Sequence, residues 1–291
     1  MSDKVGFFYS LFCNDDISKS MRYLVPFVKN VKLYNSNKLF EKDMHIILHT
    51  DEFSFDVIKC MAKQENVSLD KIIVKTHRRN IDLRGMIWRF ESFYTNEYDI
   101  CINAEGDWAI ERYFGQIEYL KKSKYAYILH DTRQFAINKN CFAAGIAVMR
   151  SSCLSEAEKE KVKCCVELIE NIEHVHYGVD EAFFVKVCKK FFKDKYGLIV
   201  VHDDMRIFQH VENFEKEKKD LKQLFDKQDI MRVGAIHYPP VKFTPQGLKF
   251  ATNTGYILEN KKVEFTNPLR VPENEWCNTA LPQIIDKILD S

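Results

Sequence analysis

Two carboxylates one residue apart close an apolar run in this chain: Tyr98-Asp99-Ile100-Cys101-Ile102-Asn103-Ala104 leads directly into Glu105-Gly106-Asp107-Trp108. The run reads as a buried strand. A strand that stops at a carboxyl-bearing turn projects its last side chains into the crevice where open α/β sheets bind ligands. Glu105 and Asp107 are hard oxygen donors of the kind that hold Mg²⁺ or Mn²⁺, ions that bridge phosphates in many nucleotide sites. The competing reading is a solvated acidic loop. A second framing, Asn103-Ala104-Glu105, moves the pair two residues earlier and exchanges one carboxylate for a neutral amide oxygen; Glu105 belongs to both.

Other residues of chemical interest fall at element ends. Asp180 and Glu181 follow Tyr177-Gly178 and open an apolar helix (Ala182, Phe183, Phe184, Val187), where Asp180 would otherwise serve as an N-cap. Asp51 ends a short strand at His49-Thr50-Asp51-Glu52 and could cap the helix that follows. Ala143, Ala144 and Gly145 are consecutive small residues ahead of an apolar strand, where a ligand could approach the backbone closely. Neither G-x-G-x-x-G nor G-x-x-x-x-G-K-[ST] occurs, so a bound diphosphate would not sit in a glycine cradle. A metal held by acidic residues is the physical alternative, because something must offset the charge of a leaving diphosphate.

The elements that would carry these residues alternate. Strands are expected at Val5 to Leu11, Met44 to Leu48 and Ile72 to Val74, with helices at Ile17 to Tyr34, Phe55 to Ala62 and Leu83 to Tyr94 between them and before the strand that ends at Glu105. Strands separated by helices imply right-handed crossovers and a mostly parallel sheet. Beyond it come a helix at Ile110 to Leu120, a strand at Tyr125 to Leu129, a small-residue turn running into a strand over Cys141 to Arg150, and helices at Ser155 to Ile172 and Val179 to Phe192. A strand at Leu198 to Val201 follows. The charge-dense run Glu212 to Lys227 reads as a solvated helix face. Past Phe243, the runs Lys249-Phe250-Ala251 and Gly255-Tyr256-Ile257-Leu258 suggest a small hairpin, followed by a tail helix at Leu281 to Leu289. The expected division is a catalytic domain over 1–240 and an appendage over 241–291 packed on it.

Composition fits an ordinary enzyme. The chain has 291 residues, 46% of them hydrophobic, and a net charge of +1. That charge argues against nucleic acid as a partner, since phosphate neutralisation needs a basic face. No apolar run reaches the roughly 18 residues of a membrane span, and the Met1 end is too soon interrupted for a signal peptide. The nine cysteines form no C-x-x-C pair, which points to reduced core thiols and a cytoplasmic setting rather than zinc or disulfides.

In their order, these pieces resemble the nucleotide-sugar glycosyltransferases of the GT-A fold. The order runs from the Arg84-Gly85-Met86-Ile87-Trp88-Arg89-Phe90 segment and the Tyr98-Asp99 strand through the acidic turn, a strand ending His130-Asp131, the Ala144-Gly145 turn and Gly178-Val179-Asp180-Glu181 to His237. Within that fold it is most similar to microbial and large-DNA-virus glycosyltransferase-like proteins, over roughly residues 4 to 240. The resemblance implies an α/β, Rossmann-like, mostly parallel sheet flanked by helices. It also implies transfer of a sugar from a UDP- or GDP-linked donor to a hydroxyl of a glycan or protein acceptor, in the host cytoplasm if the source is viral. The family's usual Asp-x-Asp stands here as Glu105-Gly106-Asp107. Carried over, Glu105, Asp107 and His237 would hold Mn²⁺ or Mg²⁺, and Asp51, Arg84, Asn103, Glu105, Ala144 and Gly145 would meet the donor. Arg84 is favoured over Arg89 because it sits nearer the start of its helix. Asp180 or Glu181 would be the acceptor-facing carboxylate. The alternatives are a sugar-nucleotide-binding protein of the same fold without catalysis or without metal, and a nucleotidyltransferase.

Overall fold

The apolar run Val5–Ser10 forms β1, buried at every position but the last, and stands inside a sheet whose strands arrive from both sides. A computed structural model of the chain describes residues 3–13, 17–36, 40, 43–78, 83–131, 142–172, 179–192, 195, 197–202, 230–237, 241–244, 247–250, 254–260 and 280–291. In chain order the strands after β1 are β2 (Met44–Asp51), β3 (Ile72–His77), β4 (Ile100–Ala104), β5 (Tyr127–Asp131), β6 (Phe142–Arg150), β7 (Gly197–His202), β8 (Ile230–His237), β9 (Val241–Thr244), β10 (Gly247–Phe250) and β11 (Thr254–Asn260). Among the described residues nine of them form one sheet in the order β3-β2-β1-β4-β6-β5-β7-β11-β8. The pairs β1–β2, β2–β3, β1–β4 and β5–β7 are parallel. Strand β6 runs antiparallel to both β4 and β5. The fold is α/β, a largely parallel core sheet with helices on both faces.

Helices α1 (Ile17–Ser36), α2 (Glu52–Gln64) and α4 (Phe114–Lys122) cover one face. Their Leu24, Phe27, Val28, Val31, Ile58, Ile117 and Leu120 pack with Phe7, Tyr9, Ile100, Ile102 and Ala104. The other face takes the 3-10 segment Leu83–Phe90, the single turn α3 (Glu91–Tyr94), α5 (Glu156–Glu170), α6 (Val179–Val187) and the C-terminal helix Leu281–Asp290. There Phe8, Ile47, Cys101 and Met149 meet Ile87, Phe90, Phe93, Val162, Phe183, Phe184, Leu281, Ile285 and Leu289. Because side chains alternate along a strand, Ile100, Ile102 and Ala104 face one layer, while Cys101 and Asn103 face the other.

Several elements differ from the sequence expectation. Leu83 to Tyr94 is not one α-helix but a 3-10 segment followed by one α-turn. Gly85 lies so close to the Phe12 ring that a Cβ there would come within 2.5 Å of it, and the Gly85 carbonyl accepts from Ser10 Oγ, which ties the segment to the end of β1. Cys141 to Arg150 holds no turn in its described part; it is strand from Phe142 onward. The hairpin forms between β9 and β10, whereas β11 enters the main sheet between β7 and β8. Strand β8, absent from the sequence reading, ends at His237. The run Glu212 to Lys227 lies outside the described residues. No helix among them is long and apolar enough to cross a membrane.

Candidate active site

The chain builds outward from β1 through β2 to β3, then returns across β1 to begin β4 on its other side. The strand order therefore reverses between β1 and β4, and the crevice outside the carboxyl ends of such a pair is where open α/β sheets place ligands. Glu105 is the first residue after β4. The turn it opens is closed by Trp108 N–H donating to the Glu105 carbonyl at 3.2 Å, so the two carboxylates leave from the first and third positions of one β-turn. Gly106, between them, fits only as glycine: a Cβ there would stand 2.9 Å from the Tyr23 carbonyl of α1 and 2.9 Å from Leu11.

Two layers converge on this turn. From the α1 side, Asn30 Nδ2 donates to the carbonyls of Trp108 (2.7 Å) and Gly106 (3.3 Å), and Asn30 Oδ1 accepts from Ile110 N–H (2.9 Å). From the other side comes Arg89. Its Nη2 donates to Asp180 Oδ2 at 2.6 Å, and its Nη1 stands 3.9 Å from Glu105 Oε1. Arg89 and Asp180 are both buried, their side chains 7% and 1% exposed. Neighbouring aromatic contacts fix this register: Phe90 packs against Phe183 and Phe93 with ring centroids 5.1 and 5.2 Å apart. Burial works against the Arg89 charge, but Asp180 and then Glu105 more than offset it and hold the guanidinium as a firm cation. Among the described residues Arg89 Nε and Asp180 Oδ1 make no further hydrogen bond, nor does either amide atom of the fully buried Asn103.

The electrostatics of Glu105 follow from this crowd. Burial first, then repulsion from Asp107, Glu181 and Asp180, raises its carboxyl to about 7 against the pull of Arg89. Glu105 and Asp180 thus meet at one guanidinium, and the neighbouring carboxylates Asp107 and Glu181 add to the pressure on Glu105 to keep its proton. Among the described residues no three His, Cys, Asp or Glu side chains are arranged to hold a metal ion. Two carboxylates on one turn still suit Mg²⁺ or Mn²⁺, which commonly take one or two protein carboxylates with phosphate and water oxygens completing the shell. The two-carboxylate donor set fits such an ion.

The remaining expected residues fall out as follows. Asp51 is fully buried and caps α2: its Oδ1 accepts from Ser54 N–H (2.7 Å) and its Oδ2 from Ser54 Oγ (2.8 Å). Asp180 does not cap its helix from outside; it lies within the first turn of α6 and meets Arg89 instead. Of the two arginines, Arg89 is the one brought to Glu105; Arg84 is the second residue of the 3-10 segment, and its side chain lies outside the described residues. Ala144 and Gly145 belong to β6 and His237 ends β8, with their side chains likewise outside.

The sequence reading set Arg89 behind Arg84 and missed Asn30 and a second polar cluster on the sheet's β3 side. There His49 Nδ1 and His77 Nε2 lie 2.9 Å apart, and His49 Nε2 stands 3.3 Å from Glu91 Oε2. Trp88 stacks on His77 at 4.1 Å and donates to Glu170 Oε1 at 3.1 Å. Burial, followed by His77 and Lys75, depresses His49 to about 3, so it stays neutral, and its ring hydrogen-bonds His77 from β2 to the neighbouring β3. A buried histidine two residues before a helix cap was the available signal.

No family model matches the chain, and no curated protein matches it in sequence. Among solved structures, 4-diphosphocytidyl-2C-methyl-D-erythritol synthase from Anaerococcus prevotii aligns over 75% of this chain and 95% of its own, at 12% identity and a TM-score of 0.39. A superposition that loose says nothing about activity.

Proposed function

We propose that the chain is a GT-A-like glycosyltransferase that moves a sugar from a UDP- or GDP-type donor to a hydroxyl of a glycan or protein acceptor, assisted by Mn²⁺ or Mg²⁺. The observation that supports this most is the carboxylate cluster at the switch point, where burial and repulsion from Asp107, Glu181 and Asp180 raise Glu105 to about 7 against the pull of Arg89. A divalent ion, when bound, supplies positive charge that offsets both the repulsion at Glu105 and the charge of the leaving diphosphate. In this reading Glu105 and Asp107 hold the ion, with His237 as the expected third ligand. Asp180 spends its charge on Arg89 and keeps that guanidinium aimed at the turn. Glu181, beside it on α6 and only partly buried, takes the acceptor-facing role. Asn103, buried and with no hydrogen-bond partner for its amide among the described residues, is the donor-side polar group.

A second reading, a sugar-nucleotide-binding protein that needs no metal, is favoured by one observation: a Glu105 that keeps its proton to about pH 7 is a weaker metal ligand at neutral pH. Thermal shift with UDP and GDP, with and without Mn²⁺, separates the two. At a hundred times its dissociation constant a ligand stabilises by about 2.7 kcal/mol. Stabilisation that requires Mn²⁺ and vanishes in Asp107→Ala supports the transferase, with turnover of a UDP- or GDP-sugar as its completion. Metal-independent stabilisation supports the second reading. No stabilisation by any nucleotide overturns both.

A further inference from the structure

We infer that Asn30 is a positioning residue for the acidic turn, acting through the turn's backbone from the opposite layer of the fold. It lies on the buried stripe of α1 with Phe27 and Tyr34, and is itself fully buried. A polar amide on such a stripe needs partners, and all of those shown are backbone groups of one loop: the Gly106 and Trp108 carbonyls and the Ile110 N–H. One side chain thus answers two buried acceptors and one donor at the start of the helical turn Ile110–Tyr113, groups that must be paired when water is excluded. Gly106 presses on the same helix at the Tyr23 carbonyl, so the turn is both hydrogen-bonded to α1 and wedged against it. Glu105 and Asp107 leave this turn from its first and third positions. Their mutual placement, and hence their ability to share one ligand, is set by Asn30.

The geometry stands without any ligand; its consequence for affinity rests on the proposed function, so the test reads the two separately. Asn30→Leu removes all three hydrogen bonds at similar volume. Asn30→Asp keeps the acceptor for Ile110 but turns a carboxylate toward the Gly106 and Trp108 carbonyls, and Val28→Ala on the same helix controls for loss of stability alone. Amide exchange at Ile110 is expected to quicken by at least about tenfold in Asn30→Leu relative to Val28→Ala, on the order of one lost hydrogen bond. Calorimetry with Mn²⁺ and UDP is expected to show at least about tenfold weaker binding in Asn30→Leu and Asn30→Asp, and affinity kept in Val28→Ala. If the turn needed only negative charge, Asn30→Asp would bind Mn²⁺ more tightly, and that result overturns the inference. So does unchanged exchange at Ile110 in Asn30→Leu or, should that variant not fold, unchanged exchange at Trp108 in Asn30→Asp. Absence of Mn²⁺–UDP binding in the unaltered protein refutes the functional reading instead, and exchange then decides the role of Asn30 by itself.

Discussion

Replacing Glu105 by glutamine probes the charge balance of the site, because glutamine keeps the size and an acceptor oxygen but cannot ionise. Burial, and after it repulsion from Asp107, raises the Glu105 carboxyl from 4.5 to about 7. Between those values the folded protein keeps a proton that the unfolded chain has released. Stability therefore falls as pH rises through that window and is level above about 7. The gap of about 2.5 units (7 − 4.5), at 1.36 kcal/mol per unit, amounts to about 3 kcal/mol. That figure is a ceiling, since the side chain keeps 31% of its surface open to solvent. In melting temperature it corresponds to roughly 5–10 °C for a chain of this size. Urea unfolding of the unaltered protein and Glu105→Gln, in chelator at pH 5, 6, 7 and 8, reads the effect as a difference between two otherwise identical titrations. The two should be nearly equal at pH 5, with the variant becoming the more stable by up to about 3 kcal/mol at pH 8. Mn²⁺ added at pH 8 should stabilise the unaltered protein and leave the variant little changed, because the ion requires the ionised carboxylate. A difference that stays constant from pH 5 to pH 8 refutes the reasoning, because the crowding of carboxylates would then not act on Glu105.

Asp180→Asn should lower stability by about 3–5 kcal/mol, since it leaves the Arg89 guanidinium buried without its main counter-charge, and should lower turnover at least about a hundredfold. If Glu181→Gln abolishes turnover at unchanged stability while Asp180→Asn costs both, measured by unfolding and donor-sugar turnover, Asp180 positions and Glu181 faces the acceptor; a fully active Glu181→Gln refutes that division. Asp51→Ala should cost about 1–2 kcal/mol through loss of the α2 cap with nucleotide affinity unchanged in calorimetry; a tenfold loss of affinity would return Asp51 to the donor site.

How far the site could be read in advance depended on whether its residues were fixed by neighbours along the chain or by neighbours across it. The end of β4 was legible because an apolar strand that halts at two acids leaves them at the sheet's carboxyl edge whatever packs above. Asp51 was legible as a cap for the same local reason: Ser54, three residues on, supplies both donors. Asn103 lay within reach of alternation, since Cys101, Asn103 and Glu105 share one face. Arg89 was not legible, because its direction is set by a 3-10 segment whose pitch follows from Gly85 against Phe12, a contact across 73 residues (85 − 12).

Asp180 shows why an acid at a helix start is ambiguous until the rest of the helix is weighed. Every described residue of α6 except Glu181 is buried, Lys186 included, so the helix is enclosed on all sides, as a helix apolar around its whole circumference must be. An ionised group in such a helix cannot rely on water and needs a partner of opposite sign inside the protein. Lys186 meets Asp286 of the C-terminal helix, and Asp180 meets Arg89. The run Ala182-Phe183-Phe184-Val185 thus held the information that a nearby cation had to exist, and the chain offers one on the 3-10 segment beside Phe90, which packs on Phe183. Burial of α6 and the charge placed beside Glu105 are therefore one physical fact, and the site's electrostatics are set by the core beneath it.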